Sequence, residues 1–124
     1  EILAGADLLV LPYDFAGKAA EFACLSYPTK APAYMATGVP TLVYAPREHA
    51  LTLDACEKGW AYVVDESGAG GVMEGIERLM ADKALRDRLV ETAIVTCETQ
   101  HDARAVRERF RATLARAAGR EVVT

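Results

Sequence analysis

Ser26-Tyr27-Pro28-Thr29-Lys30-Ala31-Pro32-Ala33-Tyr34-Met35-Ala36-Thr37-Gly38-Val39-Pro40 lies between two apolar runs. Leu8-Leu9-Val10-Leu11, closed by Pro12, comes before it; Thr41-Leu42-Val43-Tyr44, closed by Ala45-Pro46, follows. Neither run alternates, which is the pattern of strands buried on both faces in helix-covered parallel sheets. Between them there is room for a loop and one short helix. Pro32 suits a first helical turn, where its missing N–H costs no hydrogen bond. Gly38 suits the positive-φ end of that helix, and Pro40 blocks its continuation. The order is strand, loop, helix, strand. The loop then stands at the carboxyl end of the first strand, where open α/β sheets hold ligands. The first amides of the helix would favour a phosphate there.

Working outward, residues 49–58 predict a helix with Leu51, Leu53, Ala55 and Cys56 available for burial, stopped by Gly59. Residues 60–64 predict a third strand, and 65–71 a glycine-rich turn that matches neither a P-loop nor a dinucleotide fingerprint. From Val72 the pattern is helical, with Val72, Ile76, Leu79 and Met80 on one face. Asp82 is placed to cap a further helix carrying Leu85 and Leu89. His101-Asp102 marks the start of a last one, with Val106, Phe110 and Leu114 four residues apart. Residues 17–24 fit a short helix. The fold class is α/β, a Rossmann-like parallel sheet with flanking helices, built from three βα units. That is half of a doubly wound lobe, so residues 1–124 read as one region of a longer chain. The strand at 8–11 would carry an unpaired edge, a template for further strand pairing. Its expected partner is either missing polypeptide or a second copy of the chain.

The 124 residues suffice for about one domain. At 52% hydrophobic and only 7% aromatic, the core leans on Ala, Leu and Val, which suits helices laid on a sheet. A formal net charge of −4 argues against a nucleic-acid partner, because phosphate backbones need a basic surface. No apolar run approaches the roughly 20 residues of a transmembrane helix. Cys24, Cys56 and Cys97 match no zinc or redox spacing, and an odd count does not make a disulfide framework. They read as reduced thiols of a cytoplasmic protein. No metal and no cofactor is expected.

In the central loop Ser26 and Thr29 offer hydroxyls, and Tyr27 stands between them. Thr29 is equally placed to cap the helix. Lys30 is a cation at a helix N-terminus, which the helix dipole disfavours unless an anion is bound there. After the second strand, Arg47 is a candidate phosphate contact and His49 sits near a helix start. Asp14 and Glu21 are carboxylates that could face the cleft, although a solvated helix face explains them as well. The arginines at 104, 107, 109, 111 and 116 make the last helix basic.

Pro28-Thr29-Lys30, then Tyr34-Met35-Ala36-Thr37-Gly38-Val39-Pro40 and an apolar strand, resemble the nucleotide-sugar-binding lobe of GT-B fold glycosyltransferases. The closest set is the retaining "group 1" or family 4-like enzymes. Ala6-Asp7-Leu8-Leu9-Val10-Leu11-Pro12 and the tail 71–89 fit the same family, so the resemblance spans nearly the whole chain. It implies the second half of a C-terminal donor-binding lobe. The ligand would be a nucleotide-diphosphate sugar, contacted by Ser26, Tyr27, Thr29, Lys30 and Arg47, and transferred to an unassigned acceptor. It also implies a cytoplasmic protein that is membrane-peripheral in full-length form, and a last helix that crosses to the other lobe. The family's pair of Glu residues is missing: Ala33 occupies the ribose-contacting position, and Leu25 or Ser26 the other. The alternative expectation is therefore a non-catalytic domain of the same fold, serving as a scaffold or partner-binding module. No catalytic residue is assigned.

Overall fold

The structure, a computed structural model, describes residues 2–119. After a 3-10 turn at Leu3–Gly5 come β1 (Leu9–Pro12), α1 (Lys18–Ala23), α2 (Lys30–Met35), β2 (Thr41–Tyr44) and α3 (Ala50–Lys58). Then follow β3 (Tyr62–Val64), α4 (Ala69–Ala81), α5 (Lys83–Gln100) and α6 (Ala103–Ala117). The three strands form one parallel sheet in the order β1-β2-β3. Leu9 pairs with Thr41, and Leu42 in turn with Tyr62. The α/β class and the parallel sheet with flanking helices are therefore as the sequence predicts.

Alternation along the strands splits the core into two layers. Leu11, Val43 and Val63 face a layer with Ala31 and Met35 of α2, Leu51 and Ala55 of α3, Trp60, and Ala93 of α5. Leu42 and Val64 face the opposite layer with Leu79 of α4 and Leu89 of α5. Helix α5 thus serves both layers, its first half on one and its second half on the other.

β1 extends one residue beyond the apolar run to include Pro12, opposite Tyr44. The amides of Leu9 and Tyr13 donate to the carbonyls of Pro40, just before β2, and of Tyr44 at its end. By alternation the Pro12 nitrogen lies on the outer edge, where a missing N–H breaks no ladder bond. Among the described residues β1 has a strand neighbour on one side only.

Other boundaries move for tertiary reasons. α4 begins at Ala69, inside the expected turn. A Cβ on Gly71 would meet Val64 Cγ1 at 2.9 Å, and one on Gly75 would meet the Tyr62 ring at 2.8 Å. These glycines let α4 lie directly on β2 and β3. Along α3 the buried face is Leu51, Thr52 and Ala55, not Leu53 and Cys56, which are exposed. Met80 likewise points outward. Gly59 closes α3 at φ 73°, as expected; Gly38 has the expected positive φ of 76°, but α2 already ends at Met35, and Gly38 closes the turn that follows. Asp82 and Asp102 cap α5 and α6, accepting from Leu85 N at 2.9 Å and Ala105 N at 2.8 Å. In α6 no residue is buried; Val106, Phe110 and Leu114 are 44%, 63% and 53% exposed. No helix among the described residues is long and apolar enough to cross a membrane.

Candidate functional site

The loops after β1 and β2 meet over the carboxyl ends of those strands. The chain leaving β1 turns at Gly17 (φ 85°) into α1, and the end of α1 is fastened to the start of α3. Ala50 N–H donates to the Cys24 carbonyl at 2.8 Å, and the Cys24 thiol donates to the Glu48 carbonyl with sulfur and oxygen 3.7 Å apart. Between them lies an open pocket of about 290 Å³ lined by Phe15, Ala16, Gly17, Ala20, Glu21, Cys24, Glu48 and His49.

His49 is the N-cap residue of α3, yet its side chain caps nothing. Its ring is edge-on to Tyr13, with centroids 6.0 Å apart and planes at 79°. The residue is only 2% exposed. In the first turn of α3, Thr52 is fully buried, and its hydroxyl has no partner among the described residues. Phe15 packs on Tyr44, ring centroids 4.7 Å apart, which fixes the cavity's aromatic wall. Burial raises the pKa of the neighbouring Tyr13 above its ordinary value.

Of the residues singled out in the sequence, Glu21 and His49 line this pocket, and Ser26, Tyr27, Thr29, Lys30 and Arg47 do not. Ser26 is exposed, with its amide bonded to the Ala23 carbonyl. Thr29 has helical backbone angles, and its hydroxyl caps nothing. Lys30 is the exposed first residue of α2, a helix of only six residues. The amide of Ala31 is already bonded to the Pro28 carbonyl, at 3.1 Å. Arg47 is exposed at the rim of the sheet and pairs with Asp65 at 2.7 Å, a bond that raises its pKa.

Tyr27 turns inward. Its hydroxyl donates to Asp54 Oδ2 at 2.9 Å, and its ring stacks on His101 with centroids 5.5 Å apart. Asp54 also accepts from Trp60 Nε1 at 2.9 Å and from Lys58 Nζ, which also reaches Gln100. Burial pushes the Asp54 carboxyl up, but the hydrogen bonds from Lys58, Trp60 and Tyr27, with the Lys58 charge, leave it below its ordinary range. Burial, followed by the bond to Asp54, raises the Tyr27 phenol well above its own.

Glu48 and Cys24 of the cavity escape a reading of the sequence. Glu48-His49 directly before a helix, at the end of a buried strand, is the signal that points to them. No group of three or more His, Cys, Asp or Glu among the described residues is arranged to hold a metal. Comparison with protein families, with curated proteins and with solved structures finds no match to this chain.

Proposed function

We propose that this chain is the donor-binding half-lobe of a glycosyltransferase using a nucleotide-diphosphate sugar. The observation that carries the reading is the pocket over the carboxyl ends of β1 and β2, with His49 in its lining. Open parallel sheets hold their ligands at that end. The order of motifs around Pro28-Thr29-Lys30 and Gly38-Val39-Pro40 supports the sugar-nucleotide class.

In this reading the diphosphate lies outside the cavity, toward Lys30 and Arg47, because neither lysine nor arginine lines the cavity itself. Transfer would rest on electrostatic stabilisation of the leaving diphosphate. Residues from outside this chain would complete the acceptor side. Titration calorimetry with UDP and GDP tests the reading. Saturable binding of either, weakened at least about tenfold by Lys30→Ala, is the expected result; the tenfold figure corresponds to roughly 1.4 kcal/mol. Binding unaffected by Lys30→Ala removes the assigned role of that lysine. Absence of nucleotide binding leaves the scaffold reading, which the alanine at position 33 favours.

A further inference from the structure

We infer that the outer face of α6 is a docking surface for an anionic lipid bilayer, with Val106, Phe110 and Leu114 among the acyl chains and the flanking arginines on the lipid phosphates. The inference stands apart from the glycosyltransferase reading and uses none of its residues. Its first support is the way the helix faces. Ala105, Ala112 and Ala115 are the half-buried residues of α6, so the helix rests on the chain by small side chains. Val106, Phe110 and Leu114 stand on the opposite side and are exposed. A helix that only closes a core buries its large apolar residues. A contiguous apolar stripe turned outward marks an interaction face.

Charge is the second support, and it selects the occupant. α6 carries five arginines and one glutamate, in a chain whose net charge is −4. A basic helix is thus set on an acidic body. At about 3.6 residues per turn, Arg107 and Arg111 border the stripe on one side, and Arg109 and Arg116 on the other. Arg104 pairs with Glu108 at 3.3 Å, and Arg109 donates to the Gln100 carbonyl at 3.4 Å. Among the described residues Arg107, Arg111 and Arg116 take part in none of the ion pairs.

A bilayer surface meets all of these features. It offers phosphates on both flanks of a helix lying in its plane and hydrocarbon beneath, and it needs no groove to receive a convex rod. Arginine stems follow the apolar layer while their guanidinium groups stay with the phosphates. A second copy of the chain would bring the same arginines against these on both flanks, and like charges would oppose the pairing. The acidic body is repelled by the same surface, so the chain would sit with α6 toward the lipid and the rest away.

The test is co-sedimentation of the whole chain with vesicles of phosphatidylcholine alone and of phosphatidylcholine and phosphatidylglycerol in equal parts. Partition onto the anionic vesicles is expected to be at least about tenfold stronger, and most of that preference should vanish between about 50 and about 500 mM salt. Each basic residue at such a surface strengthens binding by roughly fivefold, so Arg107→Gln with Arg111→Gln should weaken it by about tenfold or more. Phe110→Ala with Leu114→Ala should abolish it. Both double variants should keep the parent's urea midpoint, because the substituted side chains are exposed. In Phe110→Trp, brominated acyl chains should quench the added indole fluorescence, while the fully buried Trp60 of the parent chain stays unquenched. Equal binding to both vesicle types, or none, overturns the inference. Binding that survives Phe110→Ala with Leu114→Ala, without quenching in Phe110→Trp, shows adsorption by charge alone and also overturns it. A dimer in analytical ultracentrifugation that Phe110→Ala with Leu114→Ala dissolves, and that anionic vesicles do not disperse, assigns the stripe to a second copy instead.

Discussion

Two polar regions flank α3, and they differ in how much of their hydrogen-bonding capacity is used. On the side facing Tyr27, Asp54 accepts from Tyr27, Trp60 and Lys58. At the helix start the fully buried Thr52 hydroxyl is idle, and the His49 side chain caps nothing. Committed polar groups hold a fold together; uncommitted buried ones carry a penalty unless something arrives to meet them. The contrast separates the tyrosine that resembled a ligand contact, Tyr27, from the histidine that had no obvious task.

The largest effect should come from emptying the committed side. Asp54→Ala leaves a phenol, an indole N–H and an ammonium without their shared acceptor. We expect a loss of at least about 3 kcal/mol, since each buried unsatisfied group costs roughly 1–3, read as a drop in the urea midpoint. The same carboxylate gives a pH signature. Its folded pKa lies below the unfolded value, so its contribution is complete above about pH 4 and disappears as pH falls through the folded pKa. Urea midpoints for the parent chain should therefore fall more steeply on acidification than those of Asp54→Asn. Parallel curves would mean that the carboxylate is not the linkage group.

Tyr27→Phe removes one donor of three and should cost about 1 kcal/mol. It should also leave nucleotide binding unchanged, which sharpens the contrast by showing that this tyrosine acts inward. Thr52→Val keeps the side-chain shape and deletes the idle hydroxyl, so the midpoint should rise by about 1 kcal/mol. A fall would show that the hydroxyl is engaged after all. Glu48→Gln is expected to be smallest, within about 0.5 kcal/mol as for exposed positions generally. A large loss of stability there would make the cavity rim structural and erase the distinction between the two regions.

What the sequence made legible was local. The strands showed as unalternating apolar runs, Gly59 and Gly38 as positive-φ positions, and Asp82 and Asp102 as caps with an amide three residues on. Each depends on a few neighbouring residues, and tertiary packing did not overrule it. The start of α4 failed because Gly70-Gly71 looks like a turn; only the nearness of Val64 shows why a helix needs a residue without a side chain there. Thr52 replaced Leu53 on the buried face of α3 because the rotation of a helix about its axis is set by its neighbours, here Trp60 and β3. The Asp54 network joins residues 27, 54, 58, 60 and 100, a grouping no spacing rule reveals. The cavity likewise joins the chain at 15–24 to 48–49. The α6 stripe of Val106, Phe110 and Leu114 was read correctly as a period. Its three side chains stand largely exposed in the described chain.

Helix α5 contributes Leu89 to one core layer and Ala93 to the other, one helical turn apart. A rod shared in this way couples the two sides of the sheet mechanically. Melting either layer frees the end of the rod that stabilises its opposite, so denaturation of residues 9–100 should proceed as one cooperative event. The terminal helix, outside that coupling, should exchange its amide protons earlier than the rest.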